Sequence, residues 1–341
     1  MKDALAAHAK TLGFDLCRVA KCEAPPHARE FERWLDEGRA GEMTWLDRNR
    51  ERRVDPQKVL PGARSVIVLG MNYWQGEGND GAPRIARYAW GDDYHELIEK
   101  KLWKLDEFLQ NQGGEQKCYV DTGPMLERDF AAKAGAGWHG KSTMLIHPEL
   151  GTWFFLAEIL TTLELPVDAP MPDRCGRCTR CIGACPTGAI TGPHQLDSRR
   201  CISYLTIELK GTIPEELRPL IGDRIYGCDD CLTACPWNRF ARESGETAFA
   251  MRDSVAGMGL ADFLNLDDEQ FRRLFRKSPV RRIKRRGFLR NVCVALGNTG
   301  APADIPALQK AVLDPEPLIS EHARWAIQRI LQRNETVNIP A

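Results

Sequence analysis

The sequence has no apolar run of about 18 residues, so no membrane-spanning helix is expected. Its N-terminus carries neither a long apolar stretch nor a twin-arginine pattern, so an export signal is not expected and the expected compartment is the cytoplasm. No segment is of low complexity. No Rossmann or P-loop glycine pattern occurs, which removes the most legible signatures of nucleotide binding. Net charge is missing too, since 47 Lys and Arg balance 47 Asp and Glu. A chain that is basic all over is thereby excluded, while a local patch is not.

What the sequence does have is cysteine. There are 12 in 341 residues, many for a cytoplasmic chain, where structural disulfides are rare. Eight of them fall between Cys175 and Cys235, and such clustering points to metal ligation. The first run is Cys175-x2-Cys178-x2-Cys181-x3-Cys185-Pro186, the bacterial ferredoxin spacing. The second is Cys228-x2-Cys231-x3-Cys235-Pro236, with Cys201 upstream. A cubane [4Fe–4S] cluster needs four thiolates. Short x2 spacings let one loop wrap three corners, and the cysteine before proline reaches the other cluster. Cys175, Cys178, Cys181 and Cys235 are therefore assigned to one cluster, and Cys185, Cys201, Cys228 and Cys231 to a second. Structural zinc is the alternative for any CxxC pair, but the x2-x2-x3-Pro spacing is far more specific. Cys17, Cys22, Cys118 and Cys293 lack ligand spacing and are expected as small buried side chains.

The pattern of apolar residues divides the chain into three expected regions: 1–165, 166–245 and 246–341. Helices are expected at 2–12, 27–38 and 92–112, and strands at 65–71, 117–121 and 152–163. Pro124 suits the start of the helix that follows. Strands alternating with helices give the first region an α/β or α+β character. The proline-rich stretch 166–172 marks a boundary, and 173–240 has too little apolar periodicity to hold itself without clusters. Beyond about residue 255 the pattern is helical, over 280–297, 303–313 and 317–332. The Pro and Asp at the breaks resemble a HEAT-type repeat. Only about one and a half units fit, so the repeat must lean on the rest of the protein. The expected fold class is an α+β multidomain chain: an N-terminal α/β domain, a ferredoxin-like two-cluster module and a C-terminal α-helical HEAT-like repeat.

Two clusters make a one-electron wire, and a wire needs a terminus. A bare ferredoxin needs far fewer residues, so the N-terminal region is expected to hold a reaction centre. Several stretches, taken together, resemble the epoxyqueuosine reductases, cobalamin-dependent iron–sulfur enzymes of queuosine tRNA modification. They are residues 53–56 (RVDP), 87–95 (RYAWGDDYH), 119–124 (YVDTGP), 126–128 (LER), 134–141 (AGAGWHGK), 200–206 (RCISYLT) and 224–236 (RIYGCDDCLTACP). The resemblance covers nearly the whole chain, in the family's order. It implies two-electron reduction of epoxyqueuosine to queuosine at the wobble position of a tRNA anticodon. It also implies cobalamin over the N-terminal domain, fed with electrons by the two clusters.

Reduction of an epoxide releases its oxygen only with a proton, which calls for a positioned acid. Asp121 matches the family's proton-donor position. It is expected to end a strand and project, partly desolvated, into a cleft. Before Thr122-Gly123-Pro124 it also suits a helix N-cap. Arg53, Ser203, Asp229 and Asp230 match family positions near cobalamin, as Asp121 does. Solvated surface charge is the alternative for the arginine and the two aspartates. Lys141 is expected to meet corrin amides or phosphate, or to be exposed. His95 reads as hydrogen-bonded rather than as a cobalt ligand, and Tyr94 and Trp90 as core.

Residues 271–290 contain ten Lys or Arg and no Asp or Glu. A run this long without countercharge repels itself, so it is read as an RNA-phosphate surface rather than a solvated helix face. Arg281, Arg282, Lys284, Arg285, Arg286 and Arg290 are the expected contacts, in agreement with the family's use of its C-terminal repeat for tRNA. The expected partners are tRNA carrying epoxyqueuosine and an external one-electron donor such as a ferredoxin or flavodoxin. No membrane contact is expected, and the chain is expected to be a monomer. Two other classes compete. A cobalamin iron–sulfur reductive dehalogenase usually carries an export signal and has no use for a basic strip. A ferredoxin-type electron-transfer protein leaves the N-terminal region unexplained.

Overall fold

Four strands build the central sheet of the computed structural model, which describes residues 1–78 and 83–337. They are β1 (Leu16–Lys21), β2 (Ser65–Asn72), β3 (Gln116–Tyr119) and β4 (Phe154–Thr161), in the order β1-β2-β4-β3. Every adjacent pair is antiparallel. This corrects the α/β expectation for the N-terminal region to α+β, because a parallel sheet needs a crossover between each neighbouring pair and none is made here.

All eight residues of β2 are buried, as its unbroken apolar run requires of a central strand covered on both faces. Alternate side chains point to opposite faces. Ile67, Leu69 and Met71 pack on Leu5 and Ala9 of the helix Lys2–Thr11 and on Ile98, Leu102, Leu105 and Leu109 of the helix Tyr94–Gln110. Val66 and Val68 pack on Phe130, Ala131 and Ala134 across the sheet. The long helix starts where Asp93 accepts from the backbone N–H of His95 at 3.1 Å. Each fully buried Leu of its stripe contributes about 1.5–3 kcal/mol by leaving water.

The proline-rich boundary is docked along β1. Val19 N–H donates to Asp168 Oδ2 at 2.8 Å, and Asp168 N–H returns a bond to Val19 O at 2.8 Å. From residue 173 to 186 no side chain is buried. The described helices of that module are all short, and two of them, Arg180–Gly183 and Asp230–Thr233, pack against each other. At the C-terminal end the helix Lys284–Thr299 is buried continuously from Gly287 to Gly297. The helix Pro317–Val337 packs along it, and the helix Ile305–Val312 packs on Pro317–Val337 in turn. Their core also takes in Ile85, Trp90, Ile225 and Tyr226, so these helices pack on the rest of the protein. Phe249 packs in the sheet's core against Phe155. No described helix is long and apolar enough to cross a membrane.

Candidate active site and cluster sites

None of the twelve cysteines forms a disulfide. The eight in the module sort into two groups by which thiols feel each other's charge. Burial pushes the Cys235 thiol up to about 11, and Cys175, Cys181 and Cys178 add to the rise. Burial raises Cys231 well above its usual range, and Cys201, Cys228 and Cys185 add to that. These are the two quartets expected from the spacing. Iron binds cysteine as the thiolate, so each group offers four ligands to one cluster. The first quartet lies in a surface loop, where Arg174, Gly176, Arg177 and Arg180 are exposed. The second is backed by buried Ile202, Tyr226 and Leu232. Cys22 and Cys293 are buried as expected; Cys17 and Cys118 are only partly so.

Asp121 lies two residues beyond β3, with φ of +48°, a conformation that costs a non-glycine residue about 1 kcal/mol or more. The turn is closed by Thr122 N–H donating to Val120 O at 2.7 Å. Gly123 fits there because a Cβ would stand 2.3 Å from the Tyr119 ring. The next helix begins at Glu127, not at Pro124, and its N-cap is Leu126. Asp121 is therefore not a helix cap. Its carboxylate faces two side chains from the start of the long helix. Oδ1 is 2.8 Å from His95 Nε2, and Oδ2 accepts from the Tyr94 hydroxyl. His95 Nδ1 in turn is 2.7 Å from Asp93 Oδ1. The Asp121 side chain is 47% exposed, so it is open to a ligand rather than desolvated as expected.

Burial opposes charge on His95, but Asp121 and Asp93 on either side of the ring outweigh it and carry its pKa up to about 9. An imidazolium at neutral pH is the result. Tyr94 is stacked between His95 and Phe155, with ring centroids 4.0 and 4.1 Å away. Burial and then the Asp121 charge push its hydroxyl far up, so Tyr94 holds its proton and donates. Sequence reading missed Tyr94 as a site residue and undervalued His95. The signal was present in the 87–95 stretch, but partnership with Asp121 is a contact across 26 residues that spacing does not reveal.

Arg53 is 7% exposed, so the solvated-surface alternative for it is overturned. Its guanidinium donates to Met125 O at 2.9 Å, which anchors the loop after Asp121, while its Nε has no partner. Glu127 Oε1 is likewise buried and unpaired, and burial raises that carboxyl, with the Asp121 charge adding to the rise. Asp229 and Asp230 are also largely buried, with side chains 12% and 15% exposed. Asp229 accepts from Arg87 N–H at 2.7 Å, and burial raises its pKa to about 6. Asp230 is held by Arg224 at 2.5 Å and by Arg84 at 3.3 Å. Ser203 flanks the π-helical turn Tyr204–Glu208, two residues from Cys201. Lys141 donates to Gly176 O at 2.7 Å and so joins the N-terminal region to the first cysteine loop. Burial lowers the pKa of Arg128, while the charges of Glu127, Cys231 and Asp121 oppose that. Arg87, also unforeseen, lies over the rings of Trp74, Trp90 and Trp153 at 4.7–5.2 Å.

The basic strip divides in two. Arg281, Arg282, Lys284 and Arg286 are exposed. Arg290 is 1% exposed and donates to the carbonyls of Leu205, Leu209 and Gly211, which removes it as an RNA contact. Arg285 is largely buried and paired with Asp314 at 2.5 Å, so it too is part of the fold. Arg290 lies where the helix is buried on every side, and Arg285 turns onto Asp314; a charge run says nothing of what covers it.

The family model described as "4Fe-4S double cluster binding domain" matches residues 174–238. The one described as "Epoxyqueuosine reductase QueG, DUF1730" matches residues 53–122. The epoxyqueuosine reductase of Pseudomonas aeruginosa is 42% identical over 333 residues, covering 94% of this chain and 92% of that protein. That of Escherichia coli is 41% identical over 341 residues, covering 96% and 89%. A crystal structure of epoxyqueuosine reductase with an epoxyqueuosine-modified tRNA-Tyr stem loop superposes with a TM-score of 0.88 at 32% identity, over 96% of this chain and 90% of that one. A Bacillus subtilis epoxyqueuosine reductase, with its catalytic aspartate loop swung out of the active site, superposes with a TM-score of 0.88 at 30% identity, over 96% and 90%.

Proposed function

The chain belongs to the epoxyqueuosine reductase family, and from that premise we propose how its own residues carry out the reduction of epoxyqueuosine to queuosine in tRNA. The observation that carries the reading is Asp121, half exposed, with His95 and Tyr94 behind it. Removing the epoxide oxygen as water consumes two electrons and two protons. The His95 imidazolium, 2.8 Å away, passes its proton through Nε2 to Asp121, which gives it to the departing oxygen, and a second proton taken up by His95 from solvent follows the same route; Asp93 keeps the ring oriented through Nδ1. Tyr94 donates to the other carboxylate oxygen and fixes its direction. The Bacillus subtilis relative's swung-out loop supports a loop that opens to admit the base. The backbone tension at Asp121 is in keeping with such a loop.

The unpaired Arg53 Nε and Glu127 Oε1 beside Asp121 fit a ligand rich in amide donors and acceptors, as cobalamin is. Arg53, Lys141, Ser203 and Asp229 would hold it, while Asp230 braces the turn from its arginine pairs. When bound, cobalamin supplies the low-potential cobalt chemistry that no side chain offers. Cys175, Cys178, Cys181 and Cys235 would hold one [4Fe–4S] cluster and Cys185, Cys201, Cys228 and Cys231 the other, and the pair would supply one-electron transfer to the N-terminal region. The exposed Arg174, Arg177 and Arg180 suit an acidic donor of the ferredoxin or flavodoxin kind. Exposed Arg281, Arg282, Lys284 and Arg286 on the short HEAT-like helices take tRNA phosphates, and the chain works as a cytoplasmic monomer. The test is conversion of an epoxyqueuosine-modified stem loop by the reconstituted protein under chemical reductant, read by mass spectrometry. Queuosine is the expected product; none in fully cluster- and cobalamin-loaded protein would overturn the reading.

A further inference from the structure

In the N-terminal region, and apart from the eight clustered cysteines, three side chains from distant segments converge. His27 precedes the helix Ala28–Asp36, Asp129 lies in the helix Glu127–Lys133, and His139 is in the short strand Trp138–His139. We infer that His27, Asp129 and His139 form a binding site for a divalent first-row transition ion of the zinc class. His27 Nδ1 and His139 Nε2 each stand 2.9 Å from Asp129 Oδ1, and one ligand atom from each residue lies within 4.8 Å of the others. Ligand atoms at about 2.0–2.2 Å from a tetrahedral zinc stand roughly 3.3 Å apart, so small side-chain shifts seat an ion. Two imidazoles and a carboxylate are the donor set that such ions take, with the fourth position left to water.

Hydrogen bonding alone does not complete this arrangement. His139 Nε2 is buried, and its N–H is not aligned with the nearby carboxylate oxygen, so the nitrogen has no hydrogen-bond partner. A ring nitrogen that lies beside a carboxylate oxygen rather than facing it is placed for both to turn on a third atom. Asp129 is 5% exposed, and its second oxygen is fixed by the backbone N–H of His27 at 2.9 Å. That outer contact orients the carboxylate as metal sites require. The loop bearing His27 is held against the same helix without an ion, because Lys133 pairs with Glu23 at 2.6 Å. His27 has a half-exposed side chain, which gives an ion its way in. The bound ion staples the segment before Ala28–Asp36 to the helix that follows the Asp121 loop. It also ties in the strand that leads to Lys141.

The experiment uses cluster-loaded, full-length protein, so that the eight cysteines are occupied, and titrates zinc against a chromophoric chelator. One zinc per chain beyond the cluster metal is expected, with a rise in thermal midpoint. His27→Ala and His139→Ala, made separately, should each weaken zinc binding by about a hundredfold and abolish the thermal rise. Iron content and cluster absorbance should stay at the parental level, certifying that the variants fold. No zinc binding by the parent, or equal binding by parent and both variants, overturns the site and leaves a hydrogen-bonded clamp.

Discussion

Strand β2 and the segment from residue 173 to 186 hold their shape in opposite ways. Every side chain of β2 is buried between two apolar layers, whereas the cysteine loop buries none. Packing fixes the first, and bonds to iron must fix the second. The difference teaches where each region fails. A core truncation such as Leu105→Ala should cost about 2–5 kcal/mol of stability yet leave iron bound in the molecules that remain folded. Cys178→Ala should do the reverse, and it is the largest effect expected. Iron should fall from about eight to about four per chain, and turnover should be lost. The cysteine loop should become open to limited proteolysis while the sheet keeps its circular dichroism. Full iron content in Cys178→Ala, or zinc in place of iron in the parent, would break the comparison.

The contrast recurs at the candidate active site, where Asp121 is set by neither core nor metal but by polar partners. Asp121→Asn keeps the size and can still accept from Tyr94. It cannot give a carboxyl proton, and no helix cap is at stake. Single-turnover conversion should drop about a hundred- to ten-thousand-fold with cobalamin, clusters and RNA binding intact. Near-normal turnover in fully loaded protein would remove the acid role.

His95 sharpens the same point by its pH dependence. Its pKa in the folded protein is about 9, against an ordinary 6.5. A raised pKa on a cationic group means that its stabilising contribution is whole below about 6.5 and is lost as pH rises through 9. Turnover under chemical reductant should therefore hold to about pH 9 and then fall. His95→Asn should lower turnover by about ten- to a hundredfold and abolish that alkaline limb. A limb at the same pH in the variant would show that His95 only props up the loop.

The clusters were legible because ligand spacing is local. Two, two and three intervening residues set which corners a loop reaches, and the quartets follow. The central strand and the long helix were legible for a similar reason, since their periodicity is written in consecutive residues. The antiparallel sheet was not, because strand direction depends on how connections run. The helix after Asp121 starts three residues later than Pro124 suggested, since Arg53 and Gly123 hold the intervening loop. The Asp93, His95 and Tyr94 partners of Asp121, and the convergence of His27, Asp129 and His139, are tertiary contacts that no local pattern encodes. The basic strip was legible as charge but not as surface.

That last point gives the smallest expected effect and the most discriminating pair of variants. Arg281, Arg282, Lys284 and Arg286 face solvent, while Arg290, nine residues beyond Arg281, is enclosed by backbone carbonyls. An exposed cation attracts RNA by releasing counterions from phosphates, so its loss weakens binding evenly and flattens the salt dependence. Replacing the four exposed residues by Gln should lower affinity for the tRNA stem loop by about tenfold or more at moderate salt. The slope of log affinity against log salt should decrease by roughly one for each phosphate that the variant no longer neutralises. Thermal stability should barely move, since surface pairs such as Arg282 with Glu208 are worth about 1 kcal/mol or less. Arg290→Gln should behave oppositely. It strands three buried carbonyls and should destabilise the fold by about 2–4 kcal/mol, with the salt slope of the surviving folded protein unchanged. Filter binding across a salt series, alongside thermal unfolding of the same samples, separates the two. A changed slope in Arg290→Gln, or a parental slope in the fourfold variant, would show that the strip has been divided in the wrong place.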